Sequence, residues 1–162
     1  MKLSGTPEGY ATHARVLGQC VKMTSGPILE CGAGMGSTPL LHALSDGKRR
    51  VVTLDSEDSW CRKFAHLATP WHMIARVDDW NQFPWGATRW SVALIDQHPV
   101  SARLVAISAL MDNCDLIVIH DTEEPRYFYE PLLRQFKHRY DDKRDEPWAT
   151  VVSNTMEFRP CD

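Results

Sequence analysis

The chain predicts an open, doubly wound α/β sheet in one domain, and three observations carry that expectation. Five short segments rich in Val, Ile or Leu alternate with helical patterns along the 162 residues. The clearest of them (VVTL, VALI and LIVI) are near-continuous apolar runs, as parallel strands buried on both faces require. Acids then close the strands: Glu30, Asp55, Asp78 with Asp79, Asp96, and Asp121 behind His120. With 43% hydrophobic residues, a chain of this length can bury a proper core.

The elements follow in order. Thr6 and Pro7 cap a first helix that sets Tyr10, Ala14, Leu17 and Val21 on one face. Residues 28–30 form the first strand. Thr38 and Pro39 open a second helix and Gly47 closes it. Residues 50–55 are the second strand. Trp60, Phe64, Leu67 and Ala68 share a face of the third helix, which Pro70 stops. Strands at 72–77 and 91–96 come next, then a fourth helix marked by Val100, Leu104, Ile107 and Met111. Residues 115–120 are the fifth strand. A fifth helix spans 125–137, kinked or restarted at Pro131. HRYDD and ATVVSN, either side of a polar turn, read as a terminal antiparallel pair.

Composition removes several function classes. A net charge of −3 offers no basic footprint for nucleic acid or an anionic membrane. Residues 1–10 contain no apolar run of a secretory leader, and 116–119 is far too short to cross a bilayer. The five cysteines are scattered without a C-x-x-C pair, which suits reduced thiols and a cytoplasmic location. Trp71, Trp80, Trp85 and Trp90 crowd around the third strand, most of them as core packing. RQFKHRYDDKRDE mixes both signs and reads as a solvated face.

In a parallel sheet every strand delivers its carboxyl end to one rim, and ligands bind outside it. Acids ending all five strands repel one another, so the rim implies a cationic or hydroxyl-rich ligand, a metal, or both. ILECGAGMGST, residues 28–38, sits at its centre. Its glycines permit a tight turn and close backbone approach, and the helix beyond offers free N–H groups. No Lys lies between Lys22 and Lys48, which excludes a phosphate-cradling P-loop. Ser37 stands where the dinucleotide fingerprint needs its third glycine.

LECGAGMGST, TLDSE, VDDW and ALIDQ together resemble class I S-adenosylmethionine-dependent methyltransferases, over roughly residues 26–122. The resemblance implies a Rossmann-like, mostly parallel seven-stranded sheet with an antiparallel last strand, and S-adenosylmethionine over the first half of the rim. Gly32, Ala33, Gly34, Gly36 and Ser37 would line the methionine part of the cofactor. Glu30 would face the ammonium and sulfonium end, directly or through water. Asp55 would take the ribose hydroxyls beside Ser56, or else cap the next helix. Asp78 or Asp79 would meet the adenine amino group, with Trp80 as an apolar wall and Asp96 nearby.

The acceptor class follows from what ends the fourth strand. Amino-methylating nucleic-acid enzymes carry Asp/Asn-Pro-Pro-aromatic there, whereas this chain has Asp96-Gln97-His98-Pro99. The Pro-Cys nucleophile of cytosine-carbon methylases is missing at that point; Pro160 and Cys161 lie far away. No nucleic-acid partner is expected. ALIDQHP followed by LIVIHDTE looks like small-molecule O-methyltransferases of the catechol, caffeoyl-thioester and macrocin type. That implies a magnesium or manganese ion on Asp96 and Asp121, with His120 or Glu123 contributing, to lower the acceptor hydroxyl's pKa. His120 stands where those enzymes have a metal-binding Asp, and their base Lys falls near Pro99, which leaves His98 as the general base beside Asp96. The chain is short for such enzymes, so the pocket for a small-molecule acceptor is shallow or completed by a second subunit of a homo-oligomer. The competing expectations are a non-catalytic S-adenosylmethionine-binding or sensory module, a methyltransferase subunit, and an NAD-binding oxidoreductase.

Overall fold

The computed structural model describes residues 11–161; the Thr6 and Pro7 cap and Tyr10 of the expected first helix lie outside them. Seven strands form one sheet in the order β3-β2-β1-β4-β5-β7-β6. They are β1 Ile28–Cys31, β2 Val51–Asp55, β3 His72–Arg76, β4 Trp90–Ile95, β5 Cys114–His120, β6 His138–Asp142 and β7 Ala149–Ser153. The first five pair in parallel, and β7 runs antiparallel to both neighbours. This is the Rossmann-like arrangement expected, with the antiparallel strand last in the chain.

Alternation along each strand fills two cores, one on each face. Ile28, Val51, Val92, Leu94, Leu116 and Val118 pack against α1 (Ala14–Met23) and α2 (Thr38–Ser45). Leu29, Cys31, Val52, Ala93, Ile95, Ile117 and Ile119 pack against α4 (Val100–Leu110) and Trp80, Trp85 and Trp90. Both sets are withdrawn from water, which is why the central strands show no polar face. α1 buries Leu17 and Val21 as its spacing predicts, and α2 ends where Asp46 and Gly47 turn left-handed.

Three expectations change. α3 is Asp58–Phe64 followed by a tight turn at Ala65–Leu67, and only Phe64 of its predicted face is buried. α4 buries Ala102, Arg103, Ala106, Ile107 and Leu110, so of the predicted stripe only Ile107 is buried. Its sequence is apolar nearly all round, and a charged residue, not a hydrophobic stripe, selects the inward face. The helix expected over 125–137 is a turn at Pro125–Tyr127 and a four-residue α5 (Glu130–Leu133). Phe128 takes a left-handed conformation (φ 55°) between them, and Pro131 starts the second piece. Among the described residues no helix is long and apolar enough to cross a membrane.

Candidate functional site

The loop after β1 is built against β4. Gly32 has φ +94°, and a Cβ there would stand 2.7 Å from the Asp96 carbonyl carbon and oxygen. Only glycine fits this approach. The loop is held by three N–H groups: Gly32 donates to Leu54 O (2.8 Å), Ala33 to Asp55 Oδ2 (2.8 Å) and Gly34 to Thr38 Oγ1 (3.0 Å).

Beneath it lies Glu30, wholly buried. Its carboxylate accepts from Thr38 Oγ1 (3.0 Å) and Thr53 Oγ1 (2.6 Å), so it braces the loop from below. Burial pushes its pKa up to about 7, against the pull of the Ser37, Thr53 and Thr38 hydroxyls. Thr53 spends its one hydrogen on Glu30 and must accept from His72 Nε2–H at 2.9 Å. His72 Nδ1 then accepts from His42 Nδ1–H, also at 2.9 Å. Burial, with His42 alongside, lowers the His72 pKa to about 4.

Asp55 joins the loop to the rim. Besides Ala33, it accepts the N–H of Glu57, the residue just ahead of α3 (2.8 Å), so it ties that segment to the loop. Burial raises its pKa, with the two backbone N–H groups opposing. Each oxygen keeps a lone pair for a further donor. Ser56 Oγ and Trp80 Nε1 both donate to the His98 carbonyl at 3.0 Å, which places His98 on this side of the rim with its ring exposed. Asp78 is exposed and pairs with Arg76, whereas Asp79 caps the turn at Trp80–Gln82. Trp80 is buried and stacked on Trp85. Gly36 is half-buried and Met35 exposed at the loop tip.

On the other side of Gly32, Asp96, His120 and Asp121 come together around Arg103. The guanidinium is 2% exposed and reaches Asp96 Oδ1 at 2.9 Å and Asp121 Oδ2 at 3.0 Å. It also donates to the carbonyls of Gln97, Asp96 and His120 and to Tyr129 Oη. Burial opposes this charge, but Asp96, Tyr129 and Asp121 outweigh it and raise the Arg103 pKa. One of the two carboxylate charges is therefore offset from within the chain.

His120 Nδ1 lies 3.3 Å from Asp96 Oδ1 and 3.6 Å from Asp121 Oδ1. Burial would lower its pKa, yet the Asp96 carboxylate raises it. Asp96 is in turn held below the usual carboxylate range by His120 and Arg103, against the effect of burial. His13 packs its ring edge on His120 with centroids 4.6 Å apart. Burial, then His120, lowers its pKa to about 4. Glu123 turns away and accepts the Trp148 N–H.

Sequence reasoning named Asp96, His120 and Asp121 and missed Arg103, His13 and Thr12. Arg103 had a signal, as the one charge inside VSARLVAISAL. Thr12 and His13, ahead of α1, had none, because only tertiary folding brings them to the rim.

No family model and no curated protein matches the sequence. Solved structures do share the fold. A candidate caffeoyl-CoA O-methyltransferase from Staphylococcus aureus superposes with TM-score 0.67 at 13% identity, over 86% of this chain and 82% of that one. TrmK from M. capricolum, solved with S-adenosylhomocysteine, gives 0.60 at 10% identity, over 88% and 69%. The 16S rRNA methyltransferase RsmC from T. thermophilus, with AdoMet and guanosine, gives 0.52 at 17%, over 90% of this chain but 40% of its own. The fold is thus that of class I S-adenosylmethionine-dependent methyltransferases.

Proposed function

We propose that the chain is an S-adenosylmethionine-dependent methyltransferase acting on a hydroxyl of a small-molecule acceptor. The observation that carries this reading is the Asp55 carboxylate fastened to the glycine loop, on the same rim as the half-buried Asp96 and the buried His120. The loop from Gly32 to Ser37 receives the methionine part, Asp55 and Ser56 the ribose, and Asp78 or Asp79 the adenine edge. In the transfer the acceptor oxygen attacks the methyl carbon in line as the sulfonium S–C bond breaks. The acceptor's proton passes to the imidazole of His98, on the Asp55 side of the rim, with Asp96 as the second candidate base. Arg103 offsets one of the two charges on Asp96 and Asp121, which leaves the other to a protonated His120 or to a bound ion.

The fold does not choose the acceptor, since RsmC is a 16S rRNA methyltransferase. The net charge of −3 favours a small molecule over RNA. Calorimetry with S-adenosylhomocysteine should give micromolar-range binding that Asp55→Ala removes, and NAD should give none. Labelled-methyl transfer to phenols, catechols, sugars and acyl carriers, with RNA as comparison, then tests the acceptor. Cofactor binding without transfer to any of them would favour a sensory module.

A further inference from the structure

Three side chains from separate parts of the chain converge beside Arg103: His13 ahead of α1, Asp96 after β4 and His120 ending β5. One nitrogen or oxygen from each lies within 4.8 Å of the others. The hydrogen-bond bookkeeping gives that proximity a chemical meaning. Thr12 has one hydroxyl hydrogen and donates it to Pro147 O at 2.7 Å. Its 2.9 Å contact with His120 Nε2 therefore has the imidazole as donor. In neutral His120 the Nδ1 lone pair then points at the Asp96 and Asp121 carboxylates. Lone pairs facing one another need a positive particle between them, a proton or a metal ion.

His13 distinguishes the two. It is 1% exposed, and among the described residues neither of its ring nitrogens has a hydrogen-bond partner. Buried polar groups nearly always have one. A proton on His120 leaves His13 idle, whereas an ion shared by both rings gives it a bond. We propose that His13, Asp96 and His120 hold a first-row transition-metal dication of the manganese-to-zinc series, with open positions for the acceptor oxygen.

Two imidazoles and one carboxylate suit such ions better than magnesium, which prefers oxygen ligands. In a tetrahedral site with bonds of about 2.0–2.1 Å, ligand atoms stand roughly 3.3 Å apart. His120 Nδ1 and Asp96 Oδ1 are already 3.3 Å apart, so one edge is preset, and a His13 nitrogen within 4.8 Å of both would draw inward to complete the set. Thr12 is the outer partner that a metal-bound imidazole uses to fix its tautomer. Arg103 holds the same Asp96 oxygen, Oδ1, at 2.9 Å and so fixes the carboxylate in place. This set differs from one built on Asp96 and Asp121, because its third ligand comes from the approach to α1. The acceptor's place in it rests on the methyltransfer reading; ion binding does not.

The test is titration of the chelator-stripped chain with Zn(II) and Co(II), with Mg(II) for comparison, by calorimetry and Co(II) visible absorption. One Zn(II) or Co(II) should bind per chain, and Mg(II) at the same concentration should give no heat. His13→Ala should weaken binding tenfold or more, and the near-isosteric Thr12→Val by about 10–100-fold. Circular dichroism checks that each variant is folded, and Thr12→Val decides the matter if His13→Ala is not. Equal binding by wild type and the folded variants overturns the proposal, as does binding lost in Asp121→Asn but kept in His13→Ala. Ion binding without S-adenosylhomocysteine binding would defeat the methyltransferase reading and leave the site standing.

Discussion

Asp55 Oδ2 accepts the Ala33 N–H at 2.8 Å, so the acid ending β2 holds the loop that follows β1. Its other oxygen takes the Glu57 N–H. Asp55→Ala should release the loop and the start of α3 together. Charge-assisted bonds of this kind contribute about 1.5–3 kcal/mol each, so urea denaturation should show a loss of about 2 kcal/mol or more. Asp55→Asn, which keeps one acceptor oxygen, should lose less.

Gly32→Ala should be among the most damaging single-methyl additions in the chain. The new Cβ would meet backbone atoms of Asp96 and Gln97 at 2.7–2.8 Å, in a conformation of positive φ. Gly47 also has positive φ (+72°), but its nearest neighbour is Trp71 Nε1 at 3.5 Å. Gly47→Ala should therefore cost about 1 kcal/mol, and Gly32→Ala several times that. Comparable melting temperatures for the two would disprove the steric account.

Removing Arg103 leaves Asp96 and Asp121 facing one another. Breaking a buried pair costs about 3–5 kcal/mol, and the half-buried acids put this case near the lower bound. Arg103→Lys should rescue little, because an ammonium cannot span two carboxylates and three carbonyls as the planar fork does. Denaturation of Arg103→Met, Arg103→Lys and wild type in parallel reads this directly.

How much of this was legible differs between fold and site. The strands were readable because burial on both faces forces unbroken apolar runs such as LIVI. The inward face of α4 was not, since spacing of apolar residues cannot announce that an arginine points into the core. The place of Glu30 at the head of the glycine stretch is legible in the sequence; its bond to Thr53, a residue of another strand, is not. His98 and Asp96 are two positions apart in sequence, yet Gln97 and the turn at Pro99 send them to opposite sides of Gly32.

Glu30 and His72 should impose opposite pH dependences. Glu30 titrates at about 7 when folded against 4.5 unfolded, so its contribution falls as pH rises from about 4.5 to 7. His72 titrates at about 4 against 6.5, so its contribution falls as pH drops from about 6.5 to 4. Glu30→Gln should make unfolding free energy at pH 8 minus that at pH 4 more positive by roughly 3 kcal/mol. His72→Asn should shift the same difference the other way. No change in either variant would show that the chain beneath the loop carries no titration.

The place of β7 has a consequence for the order of assembly. It lies between β5 and β6 but follows both along the chain, and among the described residues β6 pairs only with it. A growing chain that has emerged only as far as the polar turn at 143–148 can complete the five parallel strands, but leaves the β5 edge bare. That edge is an open template for pairing with another chain during synthesis. A truncation just before Ala149 should accordingly yield aggregates rather than a smaller soluble sheet.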